Sequence, residues 1–415
     1  MTMPQLAMYF RIAFRSVGRN RRRTALTMAS VVFGTIALVT SDGLIEGIFA
    51  NLREYVIHSR LGHIQITKPG YRDFASLDPE KYSIDNFVEL KQELVKVPGV
   101  VAVTKRFEFF GFISNGQSTV AFLGTGVEPE IDARTNTAIK YLEGGPPYSE
   151  GDAAEVSIGV GLARKLHLKV GDNITLMTTY GQNAVNAVDA DIVGIFESGV
   201  EAVDALAVTI PMDATKKLLN VSDDTAHTTV VVLDQTSRTE QAAAAIRRLA
   251  ASRNWPIQVE TWDKLSPVYH KVVQLFTAIL VFLRVAIILV VVFSITNTIT
   301  MTVYERFREI GSIRAIGTSR GGVTTLFILE GAMIGLLGAF VGAAMSNVPR
   351  LVLNGLHITL PPPPILTIGL PLLVLFRPVA IGLSILAATG LSVFASIYPA
   401  RKAGRADIVS ALRAT

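Results

Sequence analysis

Four long apolar runs, each bounded by charged residues, constrain this chain more than any other feature of its sequence. A transmembrane helix needs about 20 mostly apolar residues, because each residue rises about 1.5 Å through a hydrocarbon core of about 30 Å. Half of the 415 residues are hydrophobic and only 18% are charged, which is too apolar for a typical soluble chain. The sequence therefore predicts four transmembrane helices, within residues 24–41, 285–304, 321–348 and 378–400.

The basic residues predict the orientation of these helices, because Lys and Arg concentrate in short cytoplasmic segments. Residues 1–23 hold six arginines and no acid, residues 305–320 hold four arginines, and residues 401–415 hold three arginines and one lysine. We therefore expect a multi-pass membrane protein with both termini in the cytoplasm. The first apolar run is longer than that of a typical signal peptide, so we expect it to be retained.

About 200 residues between the first two helices then lie outside the cytoplasm, and they show the pattern of a soluble domain. Runs rich in β-branched residues predict strands, and helical patterns lie between them. The strand signals are at 62–67, 173–178, 190–196 and 228–233, and the helix signals are at 160–168 and 239–252. The predicted fold is a membrane α-helical protein with a large extracytoplasmic mixed α/β domain inserted between helices 1 and 2.

Apolar residues at three-to-four spacing continue beyond the lipid boundary of the first two helices and predict helical stalks. The bounds of the predicted segments follow in chain order. They are a cytoplasmic N-terminal segment (1–23), helix 1 with its stalk (24–59), a periplasmic α/β core domain (60–262), a stalk with helix 2 (263–304), a cytoplasmic coupling segment (305–320), helix 3 (321–346), a periplasmic loop (347–377), helix 4 (378–400) and a cytoplasmic tail (401–415).

Several classes of function find no support in the sequence. The chain has no cysteine, and its six histidines are dispersed, so we expect no disulfide and no metal site. The net charge of +5 comes from arginines beside apolar runs, which does not indicate nucleic-acid binding. No catalytic constellation is recognisable, and the phosphate-binding pattern GxxxxGK[ST] is missing. We expect a non-catalytic subunit.

The connector between helices 2 and 3, "ERFREIGSIRAIGTSRGG" from Glu305 to Gly322, is charged and interrupted by glycines. It is either a turn with positive anchors or a short cytoplasmic helix that docks on a partner. Glu330 in helix 3 is a candidate intramembrane residue, with either a functional or a structural role. Three glycines of the same helix permit close packing, either between two copies or within one: Gly335, Gly338 and Gly342.

The connector resembles the signature after the second helix in the MacB/LolCE/FtsX superfamily of ABC-transporter permeases. Three further segments are similar to that family: "AFRSVGRNRRRTALT" (13–27), "ILEGAMIGLLGAFVG" (328–342) and "SIYPARKAGRADIVSALR" (396–413). Within the insert, "GHIQITKPGY" (62–71) and "IGVGLARKLHLKVGDNITL" (158–176) resemble the periplasmic core domain of the MacB and LolE branches. The resemblance covers nearly the whole chain.

This resemblance implies a permease of the bacterial inner membrane that transmits motion from a cytoplasmic ATPase to its periplasmic domain. The ATPase is a separate chain that binds ATP and Mg²⁺, so this chain itself has no cofactor. Further partners are a second permease subunit, the same or related, membrane lipid, and a periplasmic carrier or lipoprotein. The residues implied to couple to the ATPase are Glu305, Arg306, Arg308, Glu309, Ile310, Gly311, Arg314, Ala315 and Gly317.

One segment departs from the pattern expected of a MacB-like exporter. The loop at 347–377 is long and contains "LPPPPILTIGLPLLVLF" (360–376), in which four prolines favour extended backbone. The apolar run is either an interfacial element, a hydrophobic loop that contacts lipid or cargo, or a surface loop. We therefore expect a LolCE-like permease that moves lipoproteins or lipids. The alternatives are a regulator of a periplasmic cell-wall hydrolase and a MacB-like exporter of small molecules or peptides.

Overall fold

The computed structural model describes residues 8, 11–13, 21–74, 78–148, 154–180, 184–362 and 366–405. The chain divides into two compact units. The first, here called the membrane unit, comprises Met1–Phe49, Val273–Leu360 and Pro371–Thr415. The second, here called the core-domain unit, comprises Ala50–Val272 and Pro361–Leu370. Three of the arginines from which the orientation was predicted, at positions 15, 19 and 413, lie outside the described residues.

The secondary-structure elements are named here in chain order. The helices are α1 (Arg21–Val56), α2 (Tyr71–Phe74), α3 (Phe87–Leu94), α4 (Pro129–Thr135), α5 (Val160–Leu166), α6 (Glu201–Asp204), α7 (Met212–Leu219), α8 (Thr239–Arg253), α9 (Trp262–Leu265), α10 (Pro267–Glu305), α11 (Phe307–Ala315), α12 (Arg320–Met345), α13 (Asn347–Gly355) and α14 (Pro378–Gly404). The strands are β1 (Ile64–Thr67), β2 (Val100–Ser114), β3 (Thr119–Val127), β4 (Lys140–Gly144), β5 (Ala154–Gly159), β6 (Asn173–Tyr180), β7 (Ala184–Glu197), β8 (Ala207–Pro211), β9 (Thr228–Leu233), β10 (Gln258–Thr261), β11 (Thr359–Leu360) and β12 (Leu370–Pro371).

Four helical stretches within the described residues are long and apolar enough to cross a membrane. They are Thr24–Leu61, Tyr269–Glu305, Arg320–Gly355 and Pro378–Gly404. The mixed α/β domain lies between the first and the second of them, which confirms the predicted fold class. Helices α1 and α10 have 36 and 39 residues and are longer than a bilayer crossing requires.

The interior of the membrane unit is formed by apolar side chains from four helices. Val31 of α1, Ile295 of α10, Phe327 of α12 and Ala388 of α14 belong to one buried cluster. Many large side chains point away from it, among them Phe293, which is 70% exposed. An outward-facing apolar side chain is stable here because lipid tails are as apolar as the protein interior.

A ten-stranded sheet forms the core-domain unit. Its hydrogen-bonded order is β10-β1-β9-β2-β3-β8-β5-β7-β4, and β6 pairs with both β2 and β7. The 15-residue strand β2 passes through both halves of the domain, since its first part pairs with β9 and its second part with β3. The predicted strand signals all fall within strands of this sheet: β1, β6, β7 and β9.

Strand β2 separates two hydrophobic cores. One core contains Ile64 of β1, Leu94 at the end of α3, Val231 of β9 and Ile246 of α8. The other contains Phe107 of β2, Phe122 of β3 and side chains of α5 and α7. The domain therefore consists of two lobes that share one strand, because β2 contributes residues to both cores.

The segment predicted as a loop at 347–377 begins with a helix, which the sequence interpretation missed. Helix α13 follows α12 directly, because Ser346 between them keeps helical dihedral angles (φ −62°, ψ −18°). Exposed apolar residues recur at helical spacing in α13, namely Val348, Leu351, Val352 and, just beyond it, Leu356. This spacing was the available signal for a helix.

The proline-rich part of that segment contacts this chain's own backbone. In the core-domain unit, Leu366 forms an isolated antiparallel bridge with Val200, and the Thr367 N–H donates to the Gly199 carbonyl at 2.8 Å. In the membrane unit, the Leu375 N–H donates to the Gly43 carbonyl of α1 at 3.1 Å. Residues 363–365, which include two of the four consecutive prolines, lie outside the described residues, and the described residues after them bond to backbone of the same chain.

Candidate functional site

The connector between α10 and α12 is a helix, α11, and one of its sides packs against the membrane helices in the described part of the chain. Ile310 and Gly311 are buried, and Ile310 belongs to the same cluster as Val303 of α10 and both Val323 and Phe327 of α12. The opposite side of α11 faces outward. Of the two interpretations left open above, the geometry favours a helix with an exposed face over a simple turn.

Both ends of α11 are set by residues with special backbone roles. Arg306 separates α10 from α11 with φ −101° and ψ 16°, which is outside the helical region. Gly317 follows α11 with φ +108°, a conformation that side-chain-bearing residues rarely adopt. The Ser319 Oγ then accepts a hydrogen bond from the Gly322 N–H at 3.1 Å and caps the start of α12.

The exposed face of α11 combines charge with one strongly exposed apolar side chain. Ile316, at the end of the helix, is 87% exposed, and Ile313 is 37% exposed. The predicted coupling residues Glu305, Arg308, Glu309, Ala315 and Gly317 are also exposed, and Arg314 is half-buried. Sequence reasoning missed Ile316, because a single isoleucine beside a glycine gives no pattern that distinguishes an exposed position from a buried one.

Arg306 connects the connector to helix α12. Its Nε donates to the Glu309 carboxylate at 2.9 Å, and its Nη1 donates to the Glu330 carboxylate at 3.4 Å. The guanidinium also lies over the ring of Phe327, 5.8 Å from its centroid. The two candidates Arg306 and Glu330, which were considered separately from the sequence, thus form one ion pair.

Glu330 is therefore not an isolated acid in the membrane, and the connector supplies its counter-ion. The signal for a partner was present, because an ionisable residue in an apolar helix normally pairs with another polar group. The identity of the partner was not predictable, since Arg306 lies 24 residues away and three other connector arginines were equal candidates.

The three candidate packing glycines of α12, which are Gly335, Gly338 and Gly342, pack against other helices of the same chain. A methyl group built at Gly335 would collide with Ser392 of α14. At Gly338 it would lie 2.9 Å from Val31 of α1, and at Gly342 it would lie 2.7 Å from the Val32 carbonyl oxygen. The geometry thus assigns these glycines to contacts within one chain.

The other ends of the membrane helices carry a second group of ion pairs. Asp42 of α1 accepts hydrogen bonds from Arg284 of α10 at 2.7 Å and from Arg377, just before α14, at 3.1 Å. Arg377 also lies 3.3 Å from Glu46. The sequence predicted no partner for Asp42 or Arg284. These pairs link three elements at one level of the membrane unit.

Two buried histidines in the core-domain unit are neutral at physiological pH. Burial lowers the pKa of His227 to about 4, and its Nε2 shares a hydrogen bond with the Tyr180 hydroxyl at 2.7 Å. Burial also lowers the pKa of His63 to about 4. In the part of the chain that the structure describes, no three His, Cys, Asp or Glu side chains lie close enough to hold a metal ion.

Comparison with known protein families assigns both parts of the chain. Residues 24–249 match the family model of the MacB-like periplasmic core domain. Residues 281–408 match the family model of the FtsX-like permease C-terminal domain. The second match contains α11 and its neighbouring helices, and the first contains most of the α/β sheet.

Individual relatives show the same combination. The chain is 24% identical over 414 residues to LolC, the lipoprotein-releasing system transmembrane protein of Neisseria meningitidis, with 94% of each chain covered. It is 22% identical over 353 residues to the macrolide export ATP-binding/permease protein MacB of Escherichia coli, covering 83% of this chain and 53% of MacB. A solved structure of the periplasmic region of MacB from Actinobacillus actinomycetemcomitans aligns with a TM-score of 0.36 at 12% identity, covering 55% of this chain and 95% of that one.

Four candidate membrane helices with a mixed α/β domain between the first two define a multi-pass inner-membrane permease of the ABC-transporter type. More specifically, the chain belongs to the MacB/LolCE/FtsX superfamily, and its relatives include LolC proteins that match along nearly their whole length. This chain spans about half of the E. coli MacB sequence that it matches.

Proposed function

We propose that this chain is the permease subunit that couples ATP hydrolysis by a separate cytoplasmic ATPase to movement of its own periplasmic core domain. The observation that carries the proposal is the exposure of Ile316, which is 87% exposed beside the charged residues of α11. A partner protein that covers Ile316 would remove its apolar surface from water, which is favourable. The anchored side, at Ile310, would pass force from that partner into the membrane helices.

The orientation of the chain follows from this proposal. If α11 meets a cytoplasmic ATPase, the two termini are also cytoplasmic and the α/β domain is periplasmic, in agreement with the distribution of arginines. ATP and Mg²⁺ would then be bound by the ATPase and not by this chain. A second permease subunit, either a copy of this chain or a related one, would complete the transporter.

For the cargo we propose a lipoprotein or a lipid. The support is the match to LolC, a lipoprotein-releasing permease, along 94% of both chains. A second candidate is export of a small molecule, which the MacB-like core domain favours. The MacB relative carries an ATP-binding region in the same protein, as its name states, and the matched region is 53% of its length.

The experiment is purification of the tagged chain from its native membrane in mild detergent, followed by mass spectrometry of co-purifying proteins. We expect an ABC ATPase with the wild-type chain and its loss with Ile316→Asp. The matched control is Val101→Asp, in which an equally apolar residue that is 68% exposed in the core domain is replaced. Retention of the ATPase by Ile316→Asp would contradict the assigned docking face.

The same sample separates the possible cargoes. Co-purified lipoproteins or lipid carriers would support lipoprotein or lipid transfer. ATP hydrolysis stimulated by macrolides or peptides would instead support a MacB-like exporter. A co-purified cell-wall hydrolase would favour a regulatory role, and the absence of any ATPase from the wild-type sample would contradict the proposed function as a whole.

A further inference from the structure

Arg306 lies at the corner between two helices and contacts a third. It follows the last residue of α10 and precedes the first residue of α11, and its side chain bonds to Glu309 in the first turn of α11. The same guanidinium bonds to Glu330 of α12 and covers Phe327 one turn earlier. Its contacts therefore connect the connector helix to α12 independently of the chain between them.

The contact between Arg306 and Glu330 is sheltered from solvent. Their side chains are 12% and 9% exposed, respectively. Charges attract more strongly in such surroundings than in water, and removal of Arg306 would leave the Glu330 carboxylate buried without this cation. An ion pair of this kind fixes a position more firmly than a surface pair, whose contribution is small.

Helix α12 is in turn packed closely on α14. A methyl group at Gly331 would collide with Ser396, and one at Gly335 would collide with Ser392. The Thr324 Oγ1 also donates to the Ala400 carbonyl at 3.3 Å. Small residues bring the two helix backbones close together over several turns, so we expect α12 and α14 to move as one body.

We propose that Arg306 is a positioning residue that ties the connector helix to the α12–α14 pair, so that displacement of α11 by the ATPase also displaces these two helices. The inference rests on the proposed function, since it assumes that α11 receives force from a partner. It adds a route through α12 and α14 to the direct route along α10. The arrangement requires both a cation at Arg306 and an acid at Glu330.

The first test measures the position of α11 without any partner. Because the chain has no cysteine, spin labels can be attached at Ser312→Cys on α11 and Arg401→Cys on α14 without background labelling. Pulsed electron paramagnetic resonance of the full chain then gives the distribution of distances between the labels. We expect Glu330→Gln and Arg306→Gln to broaden that distribution, whereas Arg308→Gln, which removes an exposed charge from the same helix, leaves it unchanged.

The second test measures coupling in the complex with the co-purified ATPase. We expect Glu330→Gln to retain the ATPase but to lower hydrolysis by the membrane complex by about ten-fold, within the range that couplings between distant sites show. The double variant Arg306→Gln/Glu330→Gln removes both charges of the pair, so its thermal stability should recover relative to Arg306→Gln alone, in which the Glu330 carboxylate lacks this cation. A positioning role predicts that hydrolysis stays low in this double variant.

Two results would overturn the inference. One is an unchanged label distribution together with wild-type hydrolysis in Glu330→Gln, and the other is recovery of both stability and hydrolysis in the double variant, which would show a role in folding alone. Failure of the proposed function would look different, because the wild-type chain would then bring no ATPase. The label experiment would still decide whether Arg306 positions α11.

Discussion

Opposite kinds of side chain stabilise the interior of the core-domain unit and the interior of the membrane unit. The core domain buries large ones, among them Phe107 and Phe122, with 0% and 1% exposure. In the membrane unit the closest helix contacts involve Gly331 and Gly335, while Phe293 faces outward. Water drives large apolar side chains into the first interior, whereas lipid gives no such drive, so close fit between helices decides the second.

The largest expected effect comes from making the same truncation in both units. Phe122→Ala removes a ring that packs edge-on against Phe109 at 5.9 Å, and should lower the free energy of unfolding by about 3–5 kcal/mol. Phe293→Ala should cost less than about 1 kcal/mol, because its ring contacts lipid in either state. Thermal unfolding in detergent, followed by circular dichroism, measures both, and equal losses would remove the distinction between the units.

A second prediction uses the buried histidines of the core domain. The pKa of His227 is lowered from 6.5 to about 4, so the neutral form is favoured in the folded state. The associated stability is complete above the unfolded pKa and is lost as pH falls from about 6.5 to about 4, with an upper size of about 3 kcal/mol. His63, whose pKa is also about 4, contributes in the same direction.

The measurement is the midpoint of thermal unfolding of the full chain at about pH 7.5 and about pH 5. We expect the midpoint to fall with pH in the wild type and to fall less in His227→Asn. The control is His167→Asn, because His167 is exposed and its φ of +55° suits asparagine. An equal fall in His227→Asn and in the wild type would show that this histidine does not set the acid sensitivity.

A third prediction concerns the small residues of the membrane unit. Gly335→Leu places a side chain where the structure has Ser392, and overpacking of this kind costs about 1–3 kcal/mol. Gly390→Leu in α14 is a matched control, because a methyl group there meets no atom within 4 Å. The fraction of chain that stays monodisperse after heating should drop for the first variant only. A similar drop for both would mean that added volume alone is harmful.

The same contrast explains what the sequence could predict. The length of an apolar run and the occurrence of β-branched runs reflect whether lipid or the protein interior surrounds an element. They predicted the four membrane helices and the strands β1, β6, β7 and β9. Helix α13 was missed because residues 347–377 were interpreted as one loop between two membrane helices, although the apolar residues at its start have helical spacing. Which helices touch is decided by a few glycines and serines, whose partners are distant in the chain.

The candidate site divides in the same way. The connector was recognisable, because charge between two membrane helices and a family-like pattern both mark it. The pairing of Arg306 with Glu330 and the exposure of Ile316 depend on how α11 folds back on α12, which no local pattern reports. The sequence therefore marked the candidate segment, and the structure shows which side of α11 packs on the membrane helices and which side is exposed.

The smallest expected effect concerns charge at the other end of the membrane unit. Asp42 and Arg284 have side chains that are 23% and 36% exposed, so solvent screens their attraction more than it screens the Arg306–Glu330 pair. Asp42→Asn should therefore lower stability by less than about 1 kcal/mol, whereas Glu330→Gln should cost more.

Thermal unfolding with and without added salt distinguishes the two pairs. Salt should lower the wild-type midpoint slightly and should not change that of Asp42→Asn, while Glu330→Gln should keep the wild-type salt response. If Asp42→Asn were the more damaging change, the ion pairs of Asp42, and not the Arg306–Glu330 pair, would hold the membrane helices in position.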